Sequence, residues 1–169
     1  MLPFQNKQGR LGKVMSKVES QENQALVEHR RRLREHLFKM VFLLEFNPEE
    51  EIPDQVKMYL EDPVNLKDEE SSEELADEDK YFLTERFEAI KSNLTEIDKK
   101  LNEASRGWKT KRMGKVDLAI LRLGVYEICY DERIPEAVAI NEAVELAKRF
   151  GENESSSFIN GVLGYVTKK

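Results

Sequence analysis

Residues 134–166 read IPEAVAINEAVELAKRFGENESSSFINGVLGYV, and this stretch decides the fold. Its two halves carry apolar residues at helical spacing, and a short polar loop at residues 151–154 joins them. Pro135 suits a helix start, and Gly151 suits the left-handed residue just past a helix end. The stretch therefore predicts two helices that pack against each other.

The second of these helices contains two glycines, Gly161 and Gly164. Glycine inside a helix costs about 1 kcal/mol relative to alanine. Such a cost is easier to tolerate where another backbone approaches closely, so we expect a close approach at these glycines. Phe158 begins the same helix beside the polar loop, and its position fits either a core residue or an interface anchor.

The segment from Val116 to about Tyr130 is apolar on several faces, which is typical of a helix at the centre of a bundle. Arg122 lies within it, and a buried arginine needs a partner. We expect Glu142 or Glu145 to supply that partner. The single cysteine, Cys129, is expected to be a small core residue.

The rest of the chain divides by composition. Residues 1–24 show no apolar period and are rich in polar side chains, which predicts a disordered N-terminal tail. Residues 61–79 form an acidic connector, and residues 25–169 are expected to form a single helical domain. Three further helices are predicted, from Ala25 to Glu45, from Pro53 to Leu60 and from Asp77 to Ala104.

The net charge of −6 conceals two basic ends, because residues 1–44 carry +5, residues 45–104 carry −13 and residues 105–169 carry +2. A local basic patch matters more for nucleic-acid binding than the total charge. One patch lies near the start of the first helix and comprises Arg30, Arg31, Arg32 and Arg34. A second comprises Arg106, Lys109, Lys111, Arg112 and Lys115. Guanidinium groups match phosphate geometry, so the first patch favours an anionic partner over a merely solvated face.

Catalytic and metal-binding patterns are weak in this sequence. The two histidines, His29 and His36, are seven residues apart, and no cluster has zinc-like spacing. Residues 155–157 are serines that suit a helix start rather than a nucleophile. The sequence contains no run of 18 apolar residues, which a membrane-spanning helix would need, and no secretion signal is evident. We expect a cytoplasmic binding protein without cofactor, metal or catalytic residues.

Four segments resemble the NusB family of bacterial transcription antitermination factors. They are RRRLREHLFKMVFLLEF, KVDLAILRLGVYEI, IPEAVAINEAVELAKRFG and FINGVLGYV, in this order. The resemblance covers about residues 29–166 and leaves out the tail and the acidic connector. It implies an all-α fold of about seven helices in two small helical subdomains, with no catalysis.

The resemblance also implies partners. NusB-like proteins bind boxA, a single-stranded element of ribosomal RNA leaders, together with the ribosomal protein NusE. The complex joins other Nus factors at RNA polymerase. By resemblance, Arg30, Arg31, Arg32 and Arg34 contact the RNA, whereas Asp117, Glu154 and Phe158 face NusE. Lys111 and Arg112 are RNA-binding candidates from their charge alone.

Two alternatives stay open beside this function. NusB-like domains also head certain ribosomal RNA cytosine methyltransferases, although the 169 residues leave no room for a cofactor-binding domain. The other alternative is a helical bundle that binds only proteins, in which the arginines form a solvated face. A homodimer that covers the arginine face is also compatible with the sequence.

Overall fold

A computed structural model of the chain describes residues 4–63, 75–107 and 109–167, and these contain helices and no strand. The all-α class and the seven helices are confirmed. The α-helices are α1 (Phe4–Phe42), α2 (Ile52–Glu61), α3 (Asp77–Ser92), α4 (Leu94–Ala104), α5 (Lys115–Cys129), α6 (Glu136–Phe150) and α7 (Ser155–Thr167). Short 3-10 turns cover Leu43–Glu45, Glu49–Glu51 and Thr110–Arg112.

The chain divides into two compact units between Arg34 and Glu35, inside α1. The first helix begins at Phe4, although the composition predicted a disordered tail before Ala25. No proline occurs between Pro3 and Pro48, so nothing in the backbone interrupts a helix over this segment. The side chains of residues 16–32 are exposed, so propensity rather than packing accounts for the helix there. Most of the acidic connector, residues 64–74, lies outside the described residues.

In the second unit, α5 is the central helix, as its composition predicted. Its residues 118–127 are all buried, and it packs against α4, α6 and α7. Gly124 permits one of these contacts, because a Cβ added there would lie 2.8 Å from the Leu163 side chain on α7. The close approach that requires a glycine is therefore at Gly124. Apart from its chain neighbours and its own helix backbone, a Cβ added at Gly161 or Gly164 meets no described residue within 4 Å, so the expected approach at those positions is wrong.

The predicted helix from Asp77 to Ala104 is two helices, because Asn93 ends α3 and begins α4. The Asn93 side-chain amide donates to the Ala89 carbonyl at 2.8 Å, while its own carbonyl accepts from Ile97 at 2.9 Å. An asparagine side chain competes in this way with the backbone ladder. Buried apolar residues continue at helical spacing across the break, from Leu83, Phe87 and Ile90 to Ile97 and Leu101, which explains why the sequence suggested one helix.

The turn between α6 and α7 differs from the prediction at Gly151. Its φ of −91° and ψ of −177° are extended, not left-handed. Space is the reason for glycine there, because an added Cβ would lie 2.6 Å from Ser155 Cβ and 2.8 Å from the Ala147 carbonyl oxygen. The Ser155 hydroxyl in turn accepts from the Glu152 N–H at 3.0 Å and closes the loop.

Candidate nucleic-acid and protein interface

The arginine cluster of α1 combines three exposed side chains with one that is half-buried. Arg30, Arg31 and Arg32 are exposed, whereas Arg34 is half-buried. Successive helical residues are about 100° apart around the axis, so the three exposed guanidinium groups point in different directions. The cluster thus presents positive charge around much of the helix rather than as one flat fork.

The second basic patch is smaller in the structure than in the sequence. Lys115 Nζ lies 2.9 Å from Glu45 Oε2, so its charge is paired within the protein although 47% of its side chain is exposed. The Arg106 guanidinium lies 5.2 Å from the centroid of the Tyr165 ring, and Arg106 adopts a left-handed φ of +48°. Lys111 and Arg112 lie exposed on the short 3-10 turn that precedes α5.

Arg122 is buried as predicted, but its partners are not Glu142 or Glu145. Its Nε and Nη2 each donate at 2.9 Å to the Asp98 carboxylate, in a bidentate pair. Its Nη1 donates to Glu45 Oε1 at 2.5 Å. Helix α5 directs Arg122 toward α4 and the 3-10 turn that follows α1 rather than toward α6. We call Glu45, Asp98 and Arg122 the buried ion cluster.

The pKa values of Glu45 and Arg122 both favour the charged forms of these two residues. Burial raises the pKa of Glu45, but hydrogen bonds from Lys115 and Arg122 outweigh it and hold the pKa below its ordinary value. Burial lowers the pKa of Arg122, and the contacts with Asp98 and Glu45 raise it beyond its ordinary value. Arg122 therefore holds elements of the fold together and is not available to a ligand.

The three residues expected at a protein interface lie near the starts of α5 and α7. Asp117 is half-buried in the first turn of α5. Glu154 is exposed directly before α7, and its carbonyl accepts from the half-buried Phe158 at 3.1 Å. The structure brings Glu154 and Phe158 together directly.

Helix direction relates Asp117 to the other two. Short connections make α5 and α6, and then α6 and α7, antiparallel neighbours, so α5 and α7 run the same way. Their register is set where Gly124 faces Leu163. Asp117 lies about 10 Å before Gly124, and Phe158 about 7.5 Å before Leu163, at 1.5 Å per residue. Asp117 and Phe158 therefore lie toward the same end of the bundle.

A groove of about 590 Å³ separates the end of α4 from α7, and Phe158 lies along it. Gly161 and Gly164 also line it, together with Arg106 and Tyr165. Sequence reasoning did not place these four beside Phe158, although the unexplained helix glycines were a signal. Glycine here leaves an open strip of helix surface, rather than a close helix contact.

Other chemistry is sparse in the described residues. No group of three histidine, cysteine or carboxylate side chains among them is arranged to hold a metal ion. Within the same residues, no helix has the length and apolar character needed to cross a membrane. Cys129 is exposed, which corrects the expectation of a core residue. It ends α5, where the buried run has already stopped, and partial burial raises the pKa of its thiol.

These features define a class: an all-helical bundle with a basic cluster on its first helix and an open groove beside its last. Comparison with known proteins gives the family. The NusB family model matches residues 31–168, and the chain belongs to the NusB family.

Individual relatives agree with this assignment. The transcription antitermination protein NusB of Lachnoclostridium phytofermentans is 47% identical over 137 residues, which cover 81% of this chain and 97% of the relative. The structure of T. maritima NusB is 32% identical with a TM-score of 0.66, over 83% of this chain and 91% of that chain. A crystal structure of NusB and NusE in complex with dsRNA shares the fold, at 21% identity and a TM-score of 0.62 over 83% of this chain and 97% of that chain.

Proposed function

We propose that this protein is a cytoplasmic transcription antitermination factor that binds boxA RNA of ribosomal RNA leaders together with NusE. It acts by binding and not by catalysis, within the complex of RNA polymerase and other Nus factors. The observation that carries the proposal is the exposed arginine cluster at the start of the segment matched by the NusB family. The antitermination proteins among its relatives support the role in transcription.

Arg30, Arg31 and Arg32 supply the RNA contacts in this proposal, and Arg34 adds charge from its half-buried position. Arginine binds phosphate oxygens and stacks on splayed bases, which suits a single strand. Lys111 and Arg112, in the second unit, are further candidates in this proposal and bind phosphate without reading sequence. The buried ion cluster has no part in this contact, because Arg122 is committed to Asp98 and Glu45.

NusE binds, in this proposal, at the bundle end that carries Asp117, Glu154 and Phe158. A half-buried aromatic ring beside an open groove provides an anchor, and the two carboxylates provide a polar rim. RNA and protein thus contact different residues. The two bindings are separable by mutation, which makes the proposal testable.

The RNA arm of the test measures affinity for boxA RNA across a salt series, with and without NusE. We expect weak binding alone and tighter binding with NusE. Arg31→Ala combined with Arg32→Ala should flatten the slope of log K against log salt by about 1.4, at about 0.7 per lost phosphate contact. Lys57→Ala combined with Lys99→Ala removes the same charge from exposed positions on α2 and α4 and should leave the slope unchanged. Equal behaviour of the two double variants would contradict the arginine assignment.

The protein arm of the test measures NusE affinity. Glu154→Lys should weaken it clearly, whereas Glu152→Lys makes the same charge change at an exposed residue of the same loop and should weaken it less. Phe158→Asp should abolish NusE binding while circular dichroism stays close to that of the parent protein. Loss of the helical signal instead would assign Phe158 to the core.

A further inference from the structure

The first helix extends beyond the family match. The family model begins at residue 31, whereas α1 begins at Phe4. We call residues 13–30 the helical extension. Lys13, Val14 and residues 16–30 within it are all exposed. An isolated helix without a packed face is only marginally stable in water. The extension therefore presents its surface to solvent or to a partner, and its charge pattern indicates which partner.

Cations line one side of this helix. Lys13, Lys17 and Arg31 follow each other at intervals of 4 and 14 residues, and Ser20 and Gln24 lie between them on the same side. At about 100° per residue, all five fall within an arc of about 60°. Lys13 and Arg31 are separated by five helical turns, which is about 27 Å. We call this row the cationic stripe.

The opposite side of the extension has a different character. Glu19 and Glu22 lie there, about 120° and 180° from Lys13. Val14, Val18 and Leu26 also project to that side, and each is exposed. Two of the three acidic residues of the extension therefore lie away from the stripe.

Glu28 is the acidic residue that borders the stripe, about 20° beyond Lys17. It accepts a hydrogen bond of 3.4 Å from Gln24 Nε2, so it is engaged within the helix. The stripe also ends in Arg31, a member of the arginine cluster. The two basic surfaces thus lie on a single helix, with an interval of about 21 Å between Lys17 and Arg31 in which the stripe carries no cation.

We propose that the cationic stripe binds the phosphate backbone of the RNA strand as it leaves the arginine cluster. This inference rests on the proposed function, because Arg31 belongs to both surfaces. A row of cations along a helix fits a linear polyanion, and uncharged Ser20 and Gln24 add hydrogen-bond donors between the cations. Phosphate contacts carry no sequence information. The stripe therefore lengthens the RNA footprint and does not alter which sequence is recognised.

The first experiment measures the salt dependence of RNA binding by the full chain. The probe is a boxA-containing leader RNA with additional single-stranded nucleotides on both flanks. Lys13→Gln with Lys17→Gln should weaken binding and flatten the slope by about 1.4, since two phosphate contacts are lost. The same change should appear with a scrambled RNA of equal length. Lys57→Gln with Lys99→Gln is the control of equal charge and should show neither effect.

A second experiment tests the geometry of the stripe by adding one charge. Ser20→Lys places a cation within the stripe, about 20° from Lys13, whereas Asn23→Lys places it about 80° away and four residues after Glu19. The lysine at position 20 should steepen the salt slope by about 0.7. The lysine at position 23 should change it less. If both lysines steepened the salt slope equally, a general electrostatic attraction would explain the binding and the stripe assignment would be wrong.

Failure of this inference can be told apart from failure of the proposed function. If Arg31→Ala with Arg32→Ala weakens RNA binding and Lys13→Gln with Lys17→Gln does not, the stripe assignment is wrong and the proposed function stands. If neither variant weakens binding, the proposed function itself fails. The apolar side provides a third outcome. Concentration-dependent self-association that Val18→Ser abolishes, with unchanged RNA binding by the lysine variant, would assign the extension to a second copy of the chain.

Discussion

Arg122 and Arg31 are both arginines, but their environments in the protein are opposite. Arg122 is buried in the central helix, with 7% of its side chain exposed, and three hydrogen bonds join it to two carboxylates. Arg31 is exposed on a helix that begins at Phe4. Both are permanently charged. The contrast teaches that charge by itself does not mark a binding surface, and that burial with fixed partners converts an arginine into part of the framework.

Removal of Arg122 is the sharpest way to test this contrast. Arg122→Ala leaves Asp98 and Glu45 partly buried without their shared partner, and we expect a loss of about 3 kcal/mol in the free energy of unfolding. Urea denaturation followed by circular dichroism measures it. Arg133→Ala is the matched control, because that arginine is 76% exposed while paired with Asp131. It should cost at most about 1 kcal/mol. Equal losses would show that the buried ion cluster contributes no more than a surface pair.

Glu45 gives the cluster a defined pH dependence. Its pKa in the folded state is held below the ordinary value of 4.5, so its stabilising effect is present above that pH and is lost as the pH falls below it. Glu45→Gln removes the charge, and we expect a loss of about 1.5 kcal/mol at neutral pH. The difference between parent and variant should shrink as the pH falls. Urea midpoints across this pH range measure it, and a constant difference would contradict the assignment.

The contrast between a packed and an open position can also be drawn between two glycines. Beyond its chain neighbours and its own helix backbone, a Cβ at Gly161 meets no described residue within 4 Å, whereas one at Gly124 lies 2.8 Å from Leu163 Cδ1. Gly161→Ala should therefore raise the free energy of unfolding by about 0.5–1 kcal/mol through helix propensity. Gly124→Ala should lower it, because Leu163 has to move. Thermal unfolding of the two variants provides the comparison. If both substitutions raised the free energy of unfolding, the Leu163 side chain would be able to move away from the new alanine without an energetic cost.

The part of the fold that the sequence predicts is the part with local causes. Burial of Arg122 followed from a helix that is apolar on several faces. Its partners did not, because Asp98 and Glu45 are 24 and 77 residues away and only packing of the helices brings them close. Gly151 shows the same limit at short range. Local rules suggested a left-handed residue, whereas the cause is the space taken by Ser155.

The candidate site follows the same rule. The basic residues could be read directly from the sequence, but their availability could not. Lys115 pairs with Glu45, and Arg106 lies over Tyr165. Both contacts depend on residues distant in the chain, so charge counting overstated the second patch. Arg30, Arg31 and Arg32 differ in exposure, because the side chains of residues 16–32 of α1 are all exposed.

Arg31 therefore supplies the smallest and most discriminating prediction for stability. Arg31→Ala should change the free energy of unfolding by no more than about 0.5 kcal/mol, because an exposed side chain contributes little to the fold. The same substitution should flatten the salt slope of RNA binding by about 0.7. Urea denaturation and an RNA titration on one preparation measure both quantities. A large loss of stability at Arg31 would place it with Arg122 as a structural residue, and the contrast between the two arginines would then be wrong.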